Sequence, residues 1–294
     1  MRTQNEKVPE LEQEDRHLLA VEASVSWKLY CVEKRLASQI IASPSVERPS
    51  VIRHAYEYYY GTVFPYFRGK SYAEYLKQSH SASDVENRLL LLGRWLGPGC
   101  SLLEIGPGGC EILREVGRRG GQAVGLDVAI YDEATSGGGF RHILFDGVRV
   151  PASAGVFDIV YSNQVLEHVH PEDAMGQIVS GFAVLKPGGR YVVTTPNRLS
   201  GPHDVSREFS DVASGFHLRE YTTSELITML RGAGFKTVDV MVGFRGSWFV
   251  MPRPIILIVE RALGLAPVRL RRSIGGWPIV RRLLMPTVVG RRSG

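Results

Sequence analysis

Apolar positions recur at three- and four-residue steps through Leu18, Val21, Val25, Leu29, Val32, Leu36 and Ile40, with Glu and Lys between them. That period predicts helix over residues 1 to about 45, packed on the body of the protein or against a second copy. Ser43-Pro44 and Pro49 interrupt it. Further along, the pattern changes. Short apolar runs at Leu102–Ile105, Ala123–Leu126, His142–Phe145, Phe157–Ser162, Arg190–Thr195 and Lys236–Val242 alternate with helical stretches. Alternation of this kind predicts an α/β protein with a mostly parallel sheet. Ser83-Asp84-Val85-Glu86 reads as a capping box opening a helix over Val85–Leu96, and Thr222…Glu225 as another opening Leu226–Arg231. A helix over Glu172–Leu185 leads into the turn Lys186-Pro187-Gly188-Gly189.

The first strand ends in the stretch Leu102-Leu103-Glu104-Ile105-Gly106-Pro107-Gly108-Gly109-Cys110, and a helical pattern follows. Strand, glycine turn and helix let backbone N–H groups approach a ligand closely. Glu104 is acidic inside an apolar run. The second strand ends in Asp127, about twenty residues on, the spacing at which a doubly wound fold presents a carboxylate to a ribose diol. A dinucleotide fingerprint would need a third glycine at position 111, where Glu111 stands and would repel a pyrophosphate. A ligand with a ribose and no phosphate suits the loop better.

These residues resemble motif I of the class I S-adenosylmethionine-dependent methyltransferases, an acidic residue, one apolar residue, then Gly-x-Gly. The likeness continues in Phe157-Asp158-Ile159-Val160-Tyr161-Ser162, Asn163-Gln164 and Leu166-Glu167-His168-Val169, and in Lys186–Gly189. It runs over about Val85–Val242 and is nearest the small-molecule type that includes the ubiquinone-biosynthesis O-methyltransferases. The resemblance implies a Rossmann-like, seven-stranded doubly wound sheet with an antiparallel last strand at the edge, taken as Pro286–Arg291. N-terminal helices and a helical insertion between strands six and seven complete it. The implied division is 1–82, a helical and aromatic lid, 83–246, the core, 247–284, a basic insertion, and 285–294, the last strand. The implied cofactor is S-adenosylmethionine, contacted by Glu104, Gly106, Gly108, Gly109, Asp127, Val128, Phe145, Asp146, Gly147, Ser162 and Asn163. Asp146-Gly147 is also an ordinary turn after a strand. The acceptor is a small molecule, most simply a hydroxyl of a sugar, a lipid-linked intermediate or a secondary metabolite. The competing readings are a nicotinamide-dependent oxidoreductase and a non-catalytic adaptor at a membrane.

The loop after the fifth strand, 197–221, is long enough to be functional. Its His203 and His217 are the candidate general bases because imidazole titrates near neutral pH. His168 reads as structural. His203, Asp204 and His217 fit no standard metal spacing, so no metal is expected. Aromatics concentrate between Tyr56 and Tyr75, as core packing or as a wall of the substrate cavity.

The composition is 44% hydrophobic and 22% charged, that of an ordinary soluble protein. Cys31, Cys100 and Cys110 form neither a disulfide framework nor a metal pattern, pointing to a reduced, cytoplasmic setting. No apolar targeting segment is legible at the start. The net charge is +5, but 246–294 holds nine Arg and one acid, Glu260, so this segment carries +8 and the rest −3. Short apolar pieces flanked by Arg, with Trp277, resemble interfacial helices on an anionic membrane, at a peripheral position on its inner face; an ordinary solvated basic face or a dimer contact fits the same pattern. Nucleic acid is disfavoured, because no RNA-binding module is recognisable and Thr194-Thr195-Pro196-Asn197 replaces the base-methylation motif.

Overall fold

A computed structural model describes residues 10–72, 74–75, 82–129 and 139–294. Gly137 and Gly138 of the glycine-rich loop, and residues 1–9 of the expected first helix, lie outside them. The described elements are α1 (Val25–Ala42), α2 (Arg48–Tyr58), a π-helical turn (Tyr59–Val63), α3 (Phe64–Arg68), α4 (Ala82–Leu92), β1 (Ser101–Ile105), α5 (Glu111–Arg118), β2 (Gln122–Asp127) and β3 (Phe140–Leu144). Then follow β4 (Phe157–Asn163), α6 (Ala174–Val184), β5 (Leu185–Thr194), α7 (Thr223–Gly232), β6 (Thr237–Phe244), β7 (Ser247–Met251), α8 (Arg253–Gly264), α9 (Val268–Gly275), α10 (Pro278–Leu284) and β8 (Thr287–Arg291).

One sheet of eight strands has the order β3-β2-β1-β4-β5-β8-β6-β7. β1 pairs in parallel with both β2 and β4, so its carboxyl end lies at the middle of the parallel half. Alternate residues of each central strand enter different cores. Leu103, Val160 and Val193 join one buried cluster, and Leu102, Ile159 and Val192 join the other. This period of two places helices on both faces, as the apolar runs demand.

Two expectations about the sheet change. β8 is antiparallel but lies inside the sheet between β5 and β6, not at its edge. Val288 and Val289 are both buried, one on each face, and an edge strand could not cover both. The edge is taken by an eighth strand, β7, which hairpins back on β6 through Arg245 and Gly246 at positive φ. Ser247–Met251, expected to open the insertion, therefore belongs to the sheet, and the helical part of that segment is α8 to α10.

Helix boundaries also shift. α1 starts only at Val25, where the Ser24 side chain accepts from the Trp27 N–H. The apolar period before it falls in a 3-10 turn, Arg16–Leu19, so the pattern overran the helix. α4 begins at Ala82, ahead of the expected cap at Ser83. The Thr222–Glu225 capping box forms as expected, with both reciprocal bonds.

Candidate active site

The chain turns sharply where β1 ends. Gly106 has φ +65°, and a Cβ there would lie 2.4 Å from Val165 Cγ2. Glycine is required on both counts, conformation and space. Gly108 is also at positive φ, and Cys110 enters α5 in the left-handed region. The glycine turn therefore lies close against Val165, which follows β4.

The carboxyl ends of β1, β2, β3 and β4 open into one cavity of about 160 Å³. Gly106, Gly108, Asp127, Val128, Phe145, Asp146 and Gly147 line it, seven of the eleven residues expected to contact a cofactor. Asp127 accepts from the Val128 N–H at 2.8 Å. Burial raises its pKa to about 7, against the lowering effect of the N–H groups of Val128 and Ala129. Asp146 does form the turn of the simpler reading. Its Oδ1 accepts from the N–H groups of Val148 and Arg149, both at 2.7 Å, while the residue still lines the cavity.

Glu104, Gly109, Ser162 and Asn163 do not line this cavity. Glu104 and Ser162 are buried in the sheet, since their strand positions point into the packed faces. Burial raises Glu104 to about 8, partly opposed by Arg88. A Cβ on Gly109 would meet the Glu111 carboxylate, so this glycine faces α5.

Three tyrosines roof the cavity. Tyr56, Tyr60 and Tyr72 line it, and the rings of Tyr60 and Tyr72 stack at 3.8 Å. α2, which carries Tyr56, is tied down by Arg48. That buried guanidinium binds Asp173 at 2.7 Å and Glu172 at 2.9 Å, just before α6. Tyr60 and Tyr72 also line a second cavity, bordered by Glu33, Arg68, His203 and Arg207.

The two candidate bases lie elsewhere. His203 borders the second cavity, with its Nε2 3.0 Å from Ser200 Oγ. His217 is 9% exposed and lines neither cavity, with Nδ1 2.9 Å from Glu220 Oε1. Burial opposes its charged form, but Glu220 and Glu167 outweigh this and raise its pKa.

The imidazole that lines the first cavity is His168, expected to be structural. Its Nδ1 is 3.0 Å from the Phe216 carbonyl, which can only accept. The proton therefore sits on Nδ1, and Nε2 is the acceptor. Burial, then the nearby His217 charge, push its pKa down to about 3. The rings of His168 and His217 meet edge to face at 4.8 Å.

Glu167 completes this group. It is fully buried, its Oε2 accepts from Thr195 Oγ1 at 2.8 Å, and burial raises its pKa to about 7. Ligand atoms of Glu167, His168 and His217 lie within 4.8 Å of one another, the side-chain group among the described residues with that geometry. The set weighed from sequence, His203, Asp204 and His217, does not assemble. Asp204 instead accepts from the N–H groups of Ser206 and Gly215 and fixes its own loop.

Gln164 was also missed. It leaves β4 with φ +57° and turns into the cavity. The signal was present in the string Asn163–Val169, but the sequence does not say which residues of an irregular turn face inward.

A family model described as a methyltransferase domain matches residues 72–240. A Mycolicibacterium smegmatis protein named "probable S-adenosylmethionine-dependent methyltransferase" is 34% identical over 163 residues, covering 51% of this chain and 57% of that one. The mitochondrial ubiquinone biosynthesis O-methyltransferase of Rattus norvegicus is 29% identical over 175 residues, covering 51% and 49%. The chain thus spans about half the length of the curated relatives it matches. The crystal structure of Burkholderia thailandensis 1,6-didemethyltoxoflavin-N1-methyltransferase shares the fold, with a TM-score of 0.52 and 18% identity over 86% of this chain and 92% of that one.

Proposed function

We propose that this chain, which belongs to the methyltransferase-domain family, transfers the methyl group of S-adenosylmethionine to a small-molecule acceptor. The observation that carries the reading is the meeting of Asp127, the Gly106–Gly108 turn and Phe145-Asp146 in one cavity at the carboxyl ends of three adjacent strands. The residues fit such a cofactor. The Gly106–Gly108 turn brings backbone to the cavity wall, Asp127 offers oxygens to a ribose diol, and Phe145 and Val128 offer apolar contact.

When bound, S-adenosylmethionine supplies an already activated methyl group on a sulfonium. The chain's part is orientation and exclusion of water. The Gly106–Gly108 backbone holds the amino-acid end, and Asp127, as carboxylate, accepts the ribose hydroxyls. Asp146 has Oδ1 engaged in its turn and offers its other oxygen to the adenine. Tyr56 and Tyr60 cover the acceptor and keep water out. His168 Nε2, with the ring orientation set by the Phe216 carbonyl, accepts a hydrogen bond from a hydroxyl acceptor and aims its oxygen, while its lowered pKa keeps the imidazole neutral. His217 packs edge to face on His168, and its charge helps to keep that ring neutral. The acceptor reading, a hydroxyl of a sugar, a lipid-linked intermediate or a secondary metabolite, draws on the ubiquinone O-methyltransferase likeness.

Calorimetric titration with S-adenosylmethionine, S-adenosylhomocysteine and NADH tests the reading. Binding of the first two and not the third is expected, and binding of NADH alone overturns it. Asp127→Ala loses about 1.5–3 kcal/mol of cofactor affinity, a charged hydrogen bond; unchanged affinity would count against the site. His168→Ala lowers turnover about tenfold or more with S-adenosylhomocysteine affinity kept, once a hydroxyl acceptor is in hand.

A further inference from the structure

We propose that the outer face of α8, α9 and α10 is a docking surface for an anionic lipid bilayer. α8 is apolar on two opposite sides. Ile256 and Leu263 point inward with Glu260, which accepts from Asn197 Nδ2 at 2.7 Å and the Thr223 N–H at 2.6 Å. Ile255, Ile258, Ala262 and Leu265 recur at three- and four-residue steps on the other side and face solvent. Ile258 is 68% and Leu265 84% exposed. Such a stripe on a helix that already has a buried face marks a contact with something outside the chain.

The three helices share one inner cluster. Leu263 and Val259 of α8, Ile274 of α9, and Leu284 and Val280 of α10 pack on Leu199. Their remaining faces therefore turn outward. Trp277 at 60% and Ile279 at 71% exposure extend the apolar surface at the start of α10.

Charge selects the occupant. Of the nine Arg and one acid in 246–294, the acid, Glu260, is buried. Arg261, Arg269, Arg281 and Arg282 are exposed around the apolar stripe. Aliphatic and indole groups at headgroup depth, ringed by arginines that reach lipid phosphates, is the pattern of an interfacial surface. A second copy would bring like charge against like charge. A single-stranded nucleic acid is held by successive planar rings, and Trp277 is the one aromatic residue in 253–284. No described helix is long and apolar enough to cross a membrane, so the segment lies on the bilayer.

α9 is joined to the loop that borders the second cavity. Arg272 of α9 donates to the carbonyls of Gly201 and Ser210 and pairs with Asp211 at 3.0 Å, clamping the loop that carries His203 beside the second cavity. The docking does not rest on the methyl-transfer reading.

The test is cosedimentation of the full chain with phosphatidylcholine vesicles, with and without phosphatidylglycerol, at low and high salt. Binding to the phosphatidylglycerol vesicles is expected, weakened by salt. Ile258→Glu with Leu265→Glu should lower partitioning about tenfold or more, and Arg269→Glu with Arg281→Glu should do the same. All four side chains are exposed, so thermal unfolding and S-adenosylhomocysteine binding should stay at wild-type values. Absence of binding to phosphatidylglycerol vesicles overturns the proposal, as does unchanged binding in both variants. It also falls if Ile258→Glu splits a lipid-free dimer, or if the chain retains polyuridylate but not vesicles. Vesicle binding without S-adenosylhomocysteine binding would overturn the cofactor reading and leave the docking standing.

Discussion

Helix α1 buries Leu29, Val32, Leu36 and Ile40, whereas α8 buries Ile256, Glu260 and Leu263 and turns Ile255, Ile258 and Leu265 to solvent. Both segments are additions to the same sheet. The N-terminal one has its charges answered. Arg35 binds Glu12, Glu14 and Asp15, and Arg48 binds Asp173 and Glu172. In 246–294, among the described residues, the ion pair formed is that of Arg272 with Asp211. The N-terminal segment is thus closed by contacts within the chain and roofs the cavity. The C-terminal one keeps apolar and positive surface facing outward. Apolar content alone does not distinguish them; the placement of counter-charges does.

The sharpest way to break this contrast is on α8 itself. Ile256→Ala empties a fully buried position and should destabilise the protein by about 2–4 kcal/mol in urea unfolding. If Ile256 tolerated alanine as well as Ile258, the two-sided account of α8 would fail.

Next comes the tie of the N-terminal roof. Arg48→Ala removes charged hydrogen bonds from a buried guanidinium and should cost about 2 kcal/mol, moderated because Glu172 is 72% exposed and can be rehydrated. Thermal unfolding reads the stability. Looser S-adenosylhomocysteine binding should accompany it, because Tyr56 and Tyr60 lose their anchor.

A smaller effect depends on pH. Burial raises Glu33, held between the Tyr59 hydroxyl and the Phe216 N–H, from 4.5 to about 7. A folded value above the unfolded one gives stability that is present below pH 4.5 and lost as pH rises through about 7. Glu104, Asp127 and Glu167 act in the same direction. His168, held down to about 3, opposes them up to its ordinary value of 6.5, so the melting temperature of the cofactor-free protein should fall most steeply from about pH 6.5 to about pH 8, and Glu33→Gln should shrink that fall. An unchanged slope would remove Glu33 from the account.

The smallest expected effect is at Ile258, where alanine should alter stability by no more than about 0.5 kcal/mol, because the side chain is 68% exposed. A loss near that of Ile256→Ala would show the outer face of α8 to be covered in solution.

The strand runs, the glycine turn and Asp127 were legible because each depends on local chemistry. A buried parallel strand needs a continuous apolar run, and Gly106 needs φ +65° whatever surrounds it. The same holds for the Thr222–Glu225 capping box, whose partners are three residues apart. Glu104, Ser162 and Asn163 fall outside the first cavity for the opposite reason. Being near a strand end does not say whether a side chain turns into a packed face of the sheet or into the cleft beyond it.

What the sequence determined by itself was therefore the α/β alternation, the glycine turn after β1 and the carboxylate at the end of β2, all set within a few residues. Tertiary structure alone decided where β8 enters the sheet, that Ser247–Met251 forms its edge, and that His168 rather than His203 or His217 lines the cavity. Each of those outcomes depends on partners distant in the chain. Phe216 fixes the His168 ring from 48 residues away, and Arg48 ties the roof across 125 to Asp173. No local pattern encodes pairings of that separation, because the entropy of closing such loops is repaid only by the packed whole.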